Sequence, residues 1–118
     1  ENLLAGSRRA TNIVTIEEKK DSRSYEDDIR ADLLSDAEEK SLHDMVSASA
    51  KGAAAAIIGE DFTGAMEATA TLRGPVDAFF DKVTVNCDDA TVRENRLNLL
   101  SQFRATVGRI ADFSQIEG

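Results

Sequence analysis

Apolar positions repeat with a helical period over the last third of the chain. They follow one another mostly in steps of three and four, which places them on one face of an α-helix. These positions are Val92, Leu99, Leu100, Phe103, Val107 and Ile110. A shorter run with the same spacing lies upstream, after a break at Gly74–Pro75, and consists of Val76, Phe79, Phe80 and Val83. With Asp88 or Asp89 as the cap of the longer helix and an end near Ile110, the pattern predicts a helix–turn–helix unit with an apolar seam.

Three further helical patterns precede this unit. Residues 2–16 have a broad apolar side, and residues 35–58 combine a Ser35–Glu38 capping-box signature with an alanine-rich second half. A third helix is predicted over 62–72, with the preceding aspartate as its N-cap. Its inward side chains are predicted to be Phe62, Ala65, Met66 and Leu72. Strand signals are too short to change the prediction, which is an all-α bundle of about five helices.

A polar stretch separates the first two helices. Residues 17–28 are almost wholly polar and have no period, which is typical of an exposed, solvated linker. An interaction tail is the alternative, and Tyr25 is the side chain suited to pack back onto the core. Within a single domain, the chain is thus divided into a lead-in helix over 1–16, a polar mobile loop over 17–34 and a helical core over 35–118.

Acidity is concentrated in one block of the chain. The formal net charge is −8 over 118 residues. Residues 1–20 carry four basic and three acidic side chains, and residues 62–118 carry six and eight. Residues 21–61 carry four basic and eleven acidic side chains. Because the overall field repels phosphate, a nucleic-acid surface on this chain has to rely on local arginines.

Several classes of site lack a sequence pattern. His43 is the only histidine, and its neighbour Asp44 does not form a dyad with it because adjacent helical positions diverge by about 100°. Cys87 has no Cys or His partner at metal-ligand spacing. No phosphate-binding glycine loop, nucleophile elbow, calcium loop or apolar run of about 20 residues is present. We therefore expect no catalytic centre, no metal site and no membrane segment, and the single cysteine fits a reducing, cytoplasmic location.

Arg96 falls in the middle of the apolar stripe of the last helix. A guanidinium directed at a core needs a carboxylate, because an unpaired buried charge costs several kcal/mol. The nearest candidates in the sequence are Asp77 and Asp81 on the preceding helix. We predict a structural ion pair that joins these two helices, and contact of Arg96 with RNA is the alternative.

Three motifs of the C-terminal half occur in a recognisable order. They are PVDAFFDKVTV, a short Asn-Cys-Asp-Asp break followed by VRENRLNLL, and IADFSQI. An acidic-Ala-x-x-Arg element spans 89–93, and RRATNI spans 8–13. Together they resemble the C-terminal end of the bacterial glycyl-tRNA synthetase β subunit, a helical anticodon-binding domain of the DALR type. Thr84 stands where that family commonly has methionine, and Ala10 where it has valine.

The resemblance implies that cationic side chains of this segment bind tRNA. Arg93 and Arg104 lie eleven residues apart, so they project from one edge of the last helix, and Lys82 could join them across the turn. Arg8 and Arg9 are further candidates. Such side chains contact phosphates, and guanidinium planes stack on unpaired bases. An ordinary solvated helix flank is the alternative.

The resemblance also implies a larger assembly. The full enzyme is expected to be an α2β2 heterotetramer that joins glycine to its tRNA with ATP and Mg²⁺, and amino-acid activation is expected on the α subunit. This segment would have no catalytic centre and no cofactor of its own, and would grip the anticodon stem-loop of the tRNA for glycine. The alternative from another class is a helical protein–protein docking module without RNA binding, whose acidic block meets a basic partner.

Overall fold

The computed structural model describes the backbone of residues 2–85 and 87–117, and the side chains of 6–61, 63–68, 70–85 and 87–110. Over the described residues the chain is all-α, as predicted, and has no strand. This part of the chain forms five α-helices: α1 (Asn2–Asp21), α2 (Ala37–Ile58), α3 (Phe62–Ala70), α4 (Arg73–Lys82) and α5 (Ala90–Glu117). A 3₁₀ turn, Ala31–Leu33, lies between α1 and α2.

Aspartate side chains cap α3 and α5 where the sequence predicts them. Asp61 Oδ1 accepts the amide of Gly64 at 2.9 Å, and Asp89 Oδ1 accepts the amide of Thr91 at 3.0 Å. Each carboxylate satisfies an amide of the first turn that has no partner within the helix. These two caps fix the starts of both helices.

The capping box of α2 lies one residue later than predicted. It consists of Asp36 and Glu39, and the Asp36 amide donates to Glu39 Oε1 at 3.0 Å. The predicted Ser35–Glu38 box is wrong because the helix begins at position 37, so the third helical residue is Glu39. The same carboxylate also turns inward, where it has a second role described below.

Two boundaries in the C-terminal half differ from the prediction. α4 begins at Arg73, so Gly74 and Pro75 lie in its first turn and do not separate it from α3. Proline is tolerated there because the amides of the first turn have no intrahelical acceptor. The last helix continues beyond Ile110 to Glu117. Only residues 71 and 72 therefore separate α3 from α4.

The loop predicted over 17–34 is wrong in its first part, because α1 continues to Asp21. Glutamate and lysine, which dominate this extra turn, are good helix formers even though they give no apolar period. Residues 22–36, here called the α1–α2 connection, pack against the bundle. Tyr25 is 3 % exposed and belongs to the main core. The side chain thus docks onto the core as the sequence suggested.

Two asparagines of α5 hold the α1–α2 connection in place. Asn95 accepts the backbone amide of Arg30 at 2.7 Å and donates to the carbonyl of the same residue at 3.1 Å. Asn98 accepts the amide of Asp27 at 3.4 Å. Both asparagines are buried, and these bonds meet the requirement that buried amides be satisfied.

The core is built around α5, whose residues 95–101 are all buried. α5 packs against α1, α2 and α3, while α4 packs against α1 and α2. A helix that is buried on most sides needs few polar positions, and those present must find partners. The largest fully buried apolar side chains of the described residues are Phe79, Phe103, Leu42, Leu72, Leu97, Leu99 and Leu100.

A second, smaller apolar cluster joins α2, α3 and the C-terminal half of α5. Its members are Ala53, Ala56, Ala65 and Ile110. Small side chains let α2 and α3 approach closely, and Ser49 Oγ donates to the Ala68 carbonyl at 2.6 Å between them. Of the side chains predicted to point inward on α3, Met66 is 45 % exposed, so that prediction is wrong. The side chain of Phe62 lies outside the described residues.

α1 and α4 run in the same direction at close range. A Cβ atom at Gly6 would lie 3.2 Å from Val76 Cγ1, so the glycine permits this approach. One turn further along both helices, the guanidinium of Arg9 lies over the Phe80 ring, 4.4 Å from its centroid. This contact fixes the side of α1 that borders α4.

Arg96 is buried and ion-paired, but its partner lies on α2. Its Nε and Nη2 donate to the carboxylate of Glu39 at 2.9 and 3.0 Å, and its Nη1 donates to the Thr84 carbonyl. The predicted partners Asp77 and Asp81 are both exposed. That part of the prediction is wrong because these aspartates lie on the outer face of α4, opposite its buried residues.

The Arg96–Glu39 pair stays ionised at neutral pH. The Glu39 side chain is fully buried and that of Arg96 is 8 % exposed. Burial by itself raises the pKa of the Glu39 carboxyl, but hydrogen bonds from Arg96 and from the Asp36 amide outweigh it and leave the pKa below the ordinary value of 4.5. The same pairing raises the pKa of Arg96. The paired carboxylate and guanidinium therefore join α2 to α5 as two charges.

We expect Glu39→Gln to lower the free energy of unfolding by about 3 kcal/mol, because it removes the buried counter-charge of Arg96 and leaves only the half-exposed Asp36 carboxylate, 3.5 Å from Nη2. The glutamine side chain can still accept the Asp36 amide of the capping box. Urea denaturation measures the change. Glu38→Gln removes the same charge one position away and should cost less than about 0.5 kcal/mol. The joint replacement Glu39→Leu with Arg96→Met should be less destabilising than Glu39→Gln alone. Equal stability of the two single variants would contradict the assignment.

Acidification should release the same interaction. Because the pKa of Glu39 is lowered on folding, its stabilisation is present above the unfolded value of 4.5 and is lost as the pH falls through the lower folded value. Urea denaturation at a series of pH values should therefore show the free energy of unfolding falling below about pH 4.5. Glu39→Gln should fall less steeply, and parallel curves for the two proteins would count against the pair.

Candidate nucleic-acid interface

Arg93 lies at the start of α5 and faces the end of α1. Its Nη2 donates to Asp21 Oδ2 at 2.7 Å and to the buried carboxylate of Glu17. Its Nη1 lies 3.4 Å from the Tyr25 hydroxyl. The side chain is 20 % exposed, so Arg93 holds α1 against α5 and does not extend into solvent.

The groups around Arg93 shift one another's ionisation. The Tyr25 hydroxyl donates to Asp21 Oδ2 at 2.6 Å. This bond, followed by the bond from Arg93, lowers the pKa of Asp21. Burial, followed by the Asp21 acceptor, raises the pKa of Tyr25 above 10.0, and the bonds to Asp21 and Glu17 raise the pKa of Arg93. At neutral pH Arg93 and Asp21 are therefore charged and the Tyr25 phenol is neutral.

Arg104 lies on the same edge of α5 as Arg93, as their spacing predicts. Its Nη2 is 3.8 Å from Glu18 Oε2 and donates to Ser101 Oγ at 3.3 Å. The shared edge faces α1, however, because the longer α1 places three carboxylates opposite it. We call this set the α1–α5 clamp; its members are Glu17, Glu18 and Asp21 of α1 with Arg93 and Arg104 of α5.

Lys82 is separated from these arginines. Its exposed side chain lies 3.7 Å from Asp81 Oδ2. It follows Phe80 by two positions, which on a helix is a rotation of about 200°. Because Phe80 borders α1, Lys82 lies on the opposite flank of α4. The predicted group of Lys82 with Arg93 and Arg104 is therefore not brought together, and their contact with nucleic acid stays a prediction.

The outward side of α1 carries a cationic stripe. We call it the α1 outer face; its members, at positions i, i+4, i+7 and i+11, are Arg8, Asn12, Thr15 and Lys19, all exposed. Within the described residues neither cation of the stripe is ion-paired. Arg9 lies beside the stripe, stacked on Phe80. The helix thus presents its cations to solvent and its carboxylates to α5.

Two open clefts lie beside the α1–α2 connection. They are lined by polar residues of α5 that the sequence analysis did not predict as site residues. The cleft volumes are about 220 and 270 Å³. Asp27, Asp28 and Asn98 border both clefts, and Asn95 borders the second. A signal was available, since amides at positions i and i+3 within an otherwise apolar helix must find partners.

Other kinds of site are not visible in the described part of the chain. Among those residues, no three His, Cys, Asp or Glu side chains converge to hold a metal ion. Cys87 is partly buried, and its Sγ donates to the Asp89 carbonyl at 3.6 Å. Of the helices described, none combines the length and apolar character needed to cross a bilayer.

The similarity of this chain to a known family covers almost its whole length. A family model for the DALR anticodon binding domain matches residues 7–116. The chain belongs to the DALR anticodon binding domain family. The match confirms the resemblance seen in the motifs of the C-terminal half, and the all-α bundle is consistent with a DALR domain.

Curated relatives contain this DALR domain as a small part of a longer protein. Proteins named glycine–tRNA ligase beta subunit match with 55 % identity in Rhodospirillum centenum and 50 % in Phenylobacterium zucineum, each over 99 % of this chain. The protein of the same name in Ruegeria sp. is 47 % identical over 100 % of it. The chain spans 16 to 17 % of the length of these relatives. No solved structure matches.

The tyrosine of the clamp region offers a direct test of the cluster, because Tyr25 is the only tyrosine and the chain has no tryptophan. We expect tyrosinate absorbance of the folded protein to titrate with a midpoint above 10.0, and that of the urea-unfolded chain near 10.0. The stabilisation from the neutral phenol is present below the unfolded value and lost as the pH rises through the folded one.

Replacement of the acceptor provides the control for this titration. Asp21→Asn should lower the midpoint of the folded protein, because it removes the carboxylate that favours the protonated phenol. Asp28→Asn removes an exposed carboxylate from the α1–α2 connection and should leave the midpoint unchanged. A single midpoint shared by folded and unfolded wild-type protein would exclude the arrangement.

Proposed function

We propose that this chain is the anticodon-binding domain of a glycine–tRNA ligase β subunit. The observation that carries the proposal is the alignment of almost the entire chain both with the DALR anticodon binding domain family and with β subunits of that name. The chain would contribute tRNA recognition to the ATP-dependent ligation of glycine. Its ligand would be the anticodon stem-loop of the tRNA for glycine.

The DALR bundle supplies a rigid support for this task. An anticodon loop has unpaired bases that can be splayed apart, stacked on aromatic or guanidinium planes and hydrogen-bonded along their edges. Exposed arginines are side chains of a required kind, since guanidinium groups both stack on bases and bind phosphates. ATP and Mg²⁺ would act in the catalytic part of a cytoplasmic enzyme, with activation on the α subunit of an α2β2 assembly.

A protein-docking module fits less well. That alternative relied on the acidic block over 21–61 as a surface for a basic partner. Three of its carboxylates instead form ion pairs with arginines of α5: Asp21 with Arg93, and Asp36 and Glu39 with Arg96. Of these three, Glu39 is fully buried. The acidic composition thus serves internal packing in part, and it does not by itself indicate a partner.

The test is a titration of the labelled anticodon stem-loop of a glycine tRNA with this 118-residue chain at several salt concentrations. We expect saturable binding that weakens as salt rises, by about 0.7 in the logarithm of affinity per tenfold change in salt for each phosphate contact. A stem-loop with the same stem and a replaced anticodon should bind more weakly. Absence of saturable binding at low salt would contradict the proposal.

A further inference from the structure

Charge on α1 is segregated between two sides of the helix. All three carboxylates of the α1–α5 clamp lie toward α5, where Arg93 and Arg104 are 2.7 and 3.8 Å from Asp21 and Glu18. The cations of the α1 outer face lie on the side away from α5, without a carboxylate in the stripe. The four side chains of the α1 outer face therefore carry two positive charges and no negative charge, in a protein whose formal net charge is −8.

We infer that the α1 outer face contacts the phosphate backbone of the bound RNA, at the side of the anticodon stem. The inference rests on the proposed function and adds to it the surface and the chemical group recognised. Base recognition is then left to other parts of the bundle, since phosphate contacts position a nucleic acid and carry no sequence information themselves.

The side chains of the stripe are all of the kinds that bind phosphate oxygens. Arg8 and Lys19 supply charged donors at its ends, and Asn12 and Thr15 supply an amide and a hydroxyl between them. The two cations are eleven residues apart, which along a helix axis is roughly 16 Å. A row of donors of this length can follow several successive phosphates of one strand.

The neighbouring Arg9 widens the surface toward α4. Its guanidinium is held over the Phe80 ring at 4.4 Å from the centroid, a cation–π contact that reduces the freedom of the side chain without neutralising its charge. Arg9 is exposed and has no ion pair among the described residues. An oriented cation beside the stripe lowers the entropy lost when a phosphate binds.

A stripe of α2 has the same spacing and serves as an internal comparison. It consists of Lys40, Asp44, Ser47 and Lys51, again at positions i, i+4, i+7 and i+11. Its two lysines are exposed, but an aspartate lies between them, which weakens attraction for phosphate. α2 packs against α3, α4 and α5. The two stripes therefore permit variants with identical changes in net charge on different faces of the bundle.

The experiment uses two double variants. The first combines Arg8→Gln and Lys19→Gln, and the control combines Lys40→Gln and Lys51→Gln. Each is titrated with the anticodon stem-loop of a glycine tRNA over a range of salt concentrations. Loss of two phosphate contacts on the duplex stem should reduce the slope of log affinity against log salt by roughly 1.8. The control double variant should keep the wild-type slope. Thermal unfolding followed by circular dichroism verifies that both variants fold.

Reciprocal single substitutions sharpen the comparison. Asn12→Asp gives the α1 stripe the acidic residue that α2 has, and should weaken binding by electrostatic repulsion. Asp44→Asn removes that residue from α2 and should leave affinity nearly unchanged. Both differ from wild type by one charge and leave every cation in place.

The outcomes separate this inference from the proposed function. Binding by wild type with a reduced slope only in the α1 variant supports the surface. Binding with wild-type slope in the α1 variant, or with equal losses in both double variants, overturns the surface and leaves the function standing. No binding by wild type overturns both. Equal affinity of the wild-type protein for poly-glutamate of the same charge would show that the surface attracts any polyanion, and would overturn phosphate recognition.

Discussion

Arg96 can be buried at the centre of this bundle only if a carboxylate is buried with it, and that constraint sets the position of α5 against α2. Glu39 meets it from the first turn of α2, where the same carboxylate also caps its own helix. One side chain therefore links the start of a helix to the core. Because two charges and several hydrogen bonds must form together, alternative packings of α5 leave an ion buried alone, at a cost of several kcal/mol.

A second set of ion pairs repeats this arrangement nearer the surface. In the α1–α5 clamp, arginines of the central helix again receive carboxylates from a neighbouring helix. Some of the acidic residues of this chain are thus paired with arginines between helices. The net charge is therefore a poor guide to the electrostatic field at any one face. The outward cations of α1 gain their significance from this arrangement, since their helix carries its opposite charges on the buried side.

The sequence predicts most of the fold but little of the pairing. Apolar period and the cap at Asp89 identify the helices, because these signals are local. Long-range partners have no such signal: Arg96 was correctly placed in the core, yet its carboxylate lies 57 positions away at Glu39. The helical spacing that put Arg93 on an edge of α5 could not reveal which helix faces that edge. α1 faces that edge because it continues to Asp21, through charged residues that have no apolar period.

The contact between Asn95 and the α1–α2 connection has a consequence for how such chains can diverge. The amide binds both the N–H and the carbonyl of position 30, and neither bond involves the side chain there. Any residue type except proline, which has no backbone N–H, is therefore compatible with this contact. The number of residues that precede it is constrained, because an insertion or deletion would shift the peptide unit out of register with the asparagine. Relatives that retain the asparagine should accordingly vary in the composition of this connection more than in its length.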